Sequence, residues 1–147
     1  MKKLLIPPVI LFICVLLIVL FYFLVPEYNL VPFPFNFSGL IVAFAGFVIM
    51  GKSRDLFKKY ETTLDFKKST HLIQEGIFLK TRNPMYMGMF LLLLGLGVCF
   101  SNLFSMLTSF LFLIMMQILF IQKEEKLMLE SFGERYLDYR KQVRRWI

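Results

Sequence analysis

The chain has 147 residues, 58% of them hydrophobic and 18 of them phenylalanine, and its 17 Lys and Arg against 10 Asp and Glu give a formal net charge of +7. A soluble domain carries about 45–50% apolar and about 25% charged residues; the charged share here is 18%, so a water-soluble globular domain is excluded and the surplus apolar surface must face lipid. Disorder is excluded on the same ground, as is a disulfide scaffold, because Cys14 and Cys99 each lie inside an apolar run and say nothing about the redox compartment.

Four apolar runs predict four membrane-spanning helices, over about residues 4–25, 34–51, 84–100 and 103–122. A bilayer core about 30 Å thick needs about 20 helical residues. The first run follows Lys2 and Lys3 as a signal peptide would, yet Leu24, Val25, Pro26 and Glu27 offer no small-residue cleavage site, so the run reads as a retained anchor. The core of the second, Phe37 to Met50, is short and must either borrow Val31 to Phe35 or sit in a locally thinned bilayer. The third opens at Pro84, whose missing N–H is tolerated in a first helical turn. Within it, Gly95-Leu96-Gly97 reads as close helix packing. Only Ser101 and Asn102 separate the third run from the fourth, which predicts a tight helical hairpin. In the tail, about a turn at Gly133, Phe132, Tyr136, Tyr139, Val143 and Trp146 recur at steps of four, three, four and three, with Arg135, Arg140, Lys141 and Arg144 elsewhere on the wheel. That pattern predicts an amphipathic helix at the membrane interface. The fold class is therefore all-α, a single domain over residues 1–147, built as an integral-membrane bundle of about four helices with a C-terminal interfacial helix.

The basic residues sort by segment: two precede the first span, eight lie between the second and third, and seven follow the fourth, which accounts for all 17. None falls in Pro26 to Asn36 or at Ser101 and Asn102, so the positive-inside rule sets both termini and the middle segment in the cytoplasm. The same sorting explains the charge as a topology signal with attraction to anionic lipid headgroups, and not as a nucleic-acid surface. The expected location is the inner (plasma) membrane of a bacterium or archaeon.

The cytoplasmic segments, 52–83 and 123–147, are each too short to fold alone, so a site must form where they cap the bundle. Two features go beyond helix anchoring. Thr81-Arg82-Asn83-Pro84-Met85-Tyr86-Met87-Gly88 gathers Arg, Asn, Pro and Tyr where the chain enters the membrane, and Glu124-Glu125 sets paired carboxylates at the end of the fourth span, able to meet a cation. Interfacial snorkelling and a solvated helix end are the plainer readings of the two. A lone His71 reads as a surface residue, and the pattern holds no metal set, nucleophile elbow or phosphate loop. The reactive group is then expected from a cofactor.

His71-Leu72-Ile73-Gln74-Glu75-Gly76-Ile77-Phe78, followed by Arg82-Asn83-Pro84-Met85-Tyr86-Met87-Gly88, resembles the paired motifs of the isoprenylcysteine carboxyl methyltransferase family and its phospholipid methyltransferase relatives. The tail is similar as well: Glu124-Glu125, Phe132-Gly133-Glu134, Tyr136, Tyr139, Val143 and Arg145 stand in that family's order and spacing, so the likeness covers roughly residues 69 to 147. It implies an integral-membrane methyltransferase that binds S-adenosylmethionine at the cytoplasmic ends of the last spans, under the C-terminal tail, and acts on a lipophilic small molecule or lipid. Cofactor binding would fall on His71, Leu72, Ile73, Gly76, Arg82, Asn83, Tyr86, Gly88, Glu124 and Glu125, and catalysis on Arg82, Glu125 and Arg145. Glu124 or Glu125 would take a proton from an amine or thiol acceptor, and Arg145 would hold an acidic one. Three positions depart from the family pattern: Asn83 for His, Phe78 for Tyr and Arg144 for Pro. Asn can donate and accept hydrogen bonds, but a role that needs a protonatable imidazole does not transfer to position 83. The alternatives are a sterol-type membrane reductase using NADPH, for which the motif offers few phosphate-binding cations, and a non-catalytic four-helix adaptor.

Overall fold

The computed structural model describes residues 7–60 and 71–146. Lys2, Lys3, Lys67 and Lys68 of the charge pattern, and Leu4 to Ile6 of the first run, lie outside the described residues. The first helix, α1 (Pro7–Leu24), turns a stripe of Ile10, Cys14 and Ile18 into the bundle. Its remaining faces carry Phe12, Leu16 and Phe23 outward, as a lipid-facing helix must.

A short turn at Phe35–Phe37 leads into α2 (Ser38–Lys59). The helix thus gains length at both ends of its apolar run, and 25 residues from Phe35 to Lys59 are long and apolar enough to cross a membrane. It continues two turns past the expected end at residue 51. Lys58 and Lys59 in its last turn complement the helix dipole. Ile41, Phe44 and Phe47 are 65–74% exposed on its outer face.

Against α2 lies α3 (Pro84–Cys99), opened by Pro84 in its first turn. Glycine lets the two backbones approach: a Cβ on Gly46 would stand 2.6 Å from the Gly88 carbonyl oxygen, and one on Gly88 would stand 2.6 Å from Met50 Cγ. Gly95 meets Gly39 and Ala43 in the same way, and Gly97 faces Met106 of the next helix. α3 is the centre of the bundle, with α2 on one side, α4 on the other, and α1 lying against α3 and α4.

The hairpin after α3 turns on Ser101, in the left-handed region at φ 61°. Asn102 then caps α4 (Leu103–Met116), its Oδ1 accepting from the backbone N–H of Phe104 and Ser105. Its Nδ2 donates to the Val25 carbonyl at 2.9 Å and to Asn29 Oδ1 at 3.0 Å, tying the end of α1 to the hairpin. One turn on, the Ser105 hydroxyl donates to the Ile18 carbonyl across the α1/α4 seam at 2.8 Å.

The chain from Leu103 to Phe132 is one unbroken helical rod: α4, a π-helical turn at Gln117–Ile121, and α5 (Gln122–Phe132). Buried positions run 105, 108, 109, 112, 116 and then 121, a step of five where the turn widens. Glu125 and Met128 continue that inner face. Gly133, at φ 51°, breaks the rod and starts α6 (Glu134–Gln142). The C-terminal helix is amphipathic as expected, but protein and not lipid takes up its apolar face: Tyr136, Tyr139 and Val143 pack with Met128, Leu72 and Phe132. Trp146 leaves that stripe and packs against the cluster holding Ile10, Cys14 and Tyr86.

Candidate functional site

At the end of the bundle where α2 and the rod finish and α3 begins, the segment 71–83 and the tail close over a narrow slot. Its cavity volume is about 50 Å³, well below the range of about 300–1,000 Å³ of open small-molecule sites. Two small apolar clusters face each other across it. One holds Phe57, Ile73 and Phe78, with the Phe57 and Phe78 rings edge to face at 5.6 Å; the other holds Met128, Tyr136 and Tyr139, with Leu72 beside them. Tyr139 is locked in place because its hydroxyl donates to the Phe78 carbonyl at 2.6 Å. Burial pushes its phenol well above the usual range.

The floor of the slot is charged. Glu125 accepts from two guanidinium groups: Arg82 Nη2 lies 3.0 Å from Oε1, and Arg145 spans both oxygens with Nε at 2.9 Å and Nη2 at 2.5 Å. Such a forked pair fixes direction as well as charge. Arg145 is held from behind by its backbone. Its carbonyl accepts from the Thr81 hydroxyl at 2.8 Å and from Asn83 Nδ2 at 3.4 Å, while the Arg82 N–H donates to the Arg144 carbonyl at 3.0 Å. The strand of chain at 144–145 is therefore stapled to 81–83.

Glu124 is placed differently. One oxygen accepts from the Tyr86 hydroxyl at 2.5 Å, while Oε2 is buried without a hydrogen-bond partner. Burial lifts its carboxyl to about 7; the Tyr86 bond opposes that rise and the neighbouring Glu125 adds to it. Arg82 likewise keeps surplus capacity, since Nε and Nη1 are buried and unpartnered. An unmet buried polar atom costs about 1–3 kcal/mol, and three of them gather around this one slot. The unmet donors suit a carboxylate, the unmet acceptor suits a cation, and the facing apolar walls suit a flat ring between them.

Of the residues singled out from sequence, His71, Leu72, Ile73, Arg82, Asn83, Glu124 and Glu125 line the slot. Tyr86 and Arg145 stand behind it and grip Glu124 and Glu125 respectively. Two of the expected residues do not come to it. Gly88 faces Gly46 and Met50 in the α2/α3 seam, where a side chain would force the helices apart, and Gly76, at φ 58°, turns the chain beside Leu56. Five lining residues were not singled out: Phe57, Phe78, Met128, Tyr136 and Tyr139. Tyr136 and Tyr139 stand in the tail stripe, whose period shows an apolar face without showing what covers it. Met128 stands a step of three from Glu125, a spacing that could have pointed to it. Phe57, among lysines, carries no such signal.

Fold and site together describe a helical bundle with membrane-length apolar helices and a charged slot at one end. A sequence model of the phospholipid methyltransferase family matches residues 35–135, which takes in α2, α3, the rod and the start of α6. The chain belongs to the phospholipid methyltransferase family and is a membrane methyltransferase. No curated protein and no solved structure matches the chain.

Proposed function

We propose that the protein transfers a methyl group from S-adenosylmethionine to a lipophilic acceptor, a lipid or small amphiphile that reaches the site from the bilayer. The observation that carries this reading is the unspent hydrogen-bonding capacity of Arg82 and Glu124 beside an aromatic slot, in a chain of a methyltransferase family. The residues fit the donor: Arg82 Nε and Nη1 would hold its carboxylate, Glu124 Oε2 its ammonium, and the Phe57–Phe78 and Met128–Tyr139 walls its adenine. When bound, S-adenosylmethionine supplies a methyl carbon on a sulfonium, so the acceptor's lone pair forms the new bond as the carbon–sulfur pair returns to sulfur. The protein's own part is to orient the two reactants and keep water out. Glu125, held by two arginines, anchors the floor. With Glu124 Oε2 given to the donor's ammonium and its other oxygen to Tyr86, Glu125 is the remaining carboxylate that could take a proton from an amine or thiol acceptor; a carboxylate acceptor needs no base. The catalytic set proposed is thus Arg82, Glu125 and Arg145.

The site end carries every Lys and Arg of the described residues, and the loops at the opposite end, 25–37 and 100–102, carry none. This supports a site and termini facing the cytoplasm of a plasma membrane. The test is calorimetric titration of purified protein with S-adenosylmethionine, followed by transfer of labelled methyl into native membrane lipids and identification of the product. Saturable binding lost in Arg82→Ala and Glu125→Ala is the expected result. Binding of NADPH in place of S-adenosylmethionine, or unchanged affinity in both variants, would overturn the assignment.

A further inference from the structure

Between Leu103 and Ile121 the rod carries one amide, Gln117. It heads the π-helical turn, where its backbone carbonyl accepts from the N–H of Gln122, and its side-chain Oε1 is buried with no hydrogen-bond partner. An unmet buried acceptor costs about 1–3 kcal/mol, and hydrocarbon has no donor to offer it. A π turn is itself an irregularity that recurs at functional positions. Amide and turn coincide at one residue, about 10 Å along the rod from Glu124 at about 1.5 Å per residue.

The register of α3 against α4 gives Gln117 its surroundings. Gly97 packs on Met106, and the Phe90 ring meets the Phe110 ring at 5.3 Å. Met106, Phe110 and Gln117 follow one another at steps of four and seven, so they share one side of the helix, and the antiparallel pairing brings Gln117 to the level of the first turns of α3. On that side Phe110 is exposed, and so are Ile114 and Ile118 beside it. The opposite flank of α4 is closed by α1, where the Phe104 ring meets that of Phe21 at 5.7 Å and Ser105 bonds to the Ile18 carbonyl. The seam between α3 and the rod is therefore open to lipid on the side of Gln117.

We infer that Gln117 is a specificity-determining contact for the methyl acceptor: its Oε1 accepts a hydrogen bond from an O–H or N–H that the amphiphile carries apart from its reacting atom, and so selects lipophilic molecules with such a donor over those without. The inference rests on the proposed methyl transfer. It gives Gln117 no part in binding the methyl donor, whose contacts lie in the slot.

The test uses a probe in place of the acceptor. Wild type and Gln117→Met, which keeps the side-chain length and loses the amide, are placed in nanodiscs of phosphatidylcholine, a lipid without O–H or N–H groups. Each is exposed to a diazirine-bearing dodecanol or to its methyl ether, and crosslinks are mapped by peptide mass spectrometry. The alcohol should label residues 86–90 and 110–118 of the wild type about fivefold more than the ether, as one hydrogen bond allows, and Gln117→Met should bring the two to the same level. The variant should melt no lower than wild type, bind S-adenosylmethionine with unchanged affinity, and show a KM for native membrane lipid raised about fivefold with kcat retained. Equal labelling by alcohol and ether in the wild type, or a lowered melting temperature with labelling unchanged, would overturn the inference, because the amide would then be structural. Selective labelling with an unchanged KM would overturn it as well, leaving a hydrogen-bonding site apart from the reaction. A wild type that transfers no methyl group would remove the proposed function and the acceptor role with it, a failure distinct from any loss of selective labelling.

Discussion

The two ends of the bundle solve the burial of polar groups in opposite ways. At the end away from the site, Asn102 is wholly buried and every polar group it offers is used: Oδ1 caps α4, and Nδ2 binds both Val25 and Asn29. Neutral amides closed in this way stabilise and ask for nothing more. At the site end the groups are charged, two arginines converge on Glu125, and Arg82 and Glu124 still hold unmet atoms. Single unmet atoms occur elsewhere too, at Asn36 Oδ1 and Gln117 Oε1, so what sets the site end apart is that several charged, incomplete groups gather around one slot.

The comparison can be broken from either side. The largest effect is expected for Glu125→Gln, which leaves two guanidinium groups facing each other with their partner gone; about 3 kcal/mol of stability should be lost, together with donor binding, as read by melting and titration. Asn102→Ala should cost about 2 kcal/mol by removing a cap and two buried bonds, with donor affinity unchanged. If Asn102→Ala weakened donor binding as much as it weakened the fold, the two ends would not be separable. Glu124→Gln should act on pH dependence. Because burial raises the Glu124 carboxyl to about 7, the folded protein keeps a proton that the unfolded chain gives up near its ordinary value of 4.5. Stability therefore declines as pH rises across that interval, and Glu124→Gln should flatten the decline in melting temperature between about pH 5 and pH 8. Donor affinity, which needs the ionised carboxylate, should rise through pH 7 in the wild type and not in the variant. The smallest effect is expected at the exposed pair Lys59–Glu75, 2.6 Å apart: Lys59→Gln should change neither melting nor donor affinity.

Much of the fold is legible in the sequence because lipid imposes a simple rule: apolar runs, Pro84 at a helix start and Ser101-Asn102 at a turn mark the helices with little help from tertiary contacts. The charged part of the site is legible too, since Arg82 stands where the chain enters the third span and Glu124-Glu125 where the fourth ends, which sets both at one end of the bundle. The slot's walls are not. Phe57 and Phe78, distant in sequence, come together by packing that no local period marks, and the stripe of Tyr136, Tyr139 and Val143 has the same period whether lipid or the protein's own 71–78 segment covers it. Gly88 shows the converse limit, for a motif glycine beside Tyr86 proves to be spacing between helices.

The five-residue step from Met116 to Ile121 has a consequence for how the rod tolerates change in length. An α-helix turns about 100° per residue. The π turn is one residue longer than the α-helical spacing that would carry the buried face onward, so removing one residue between 117 and 121 should let the rod relax to regular helix with Glu125 still pointing inward. An insertion anywhere from 122 to 124 has no such slack and would swing the second carboxylate out of the slot. The rod therefore has a tolerated deletion and a forbidden insertion within two turns of each other, and a pair of such variants would show which of them keeps the charged floor in register.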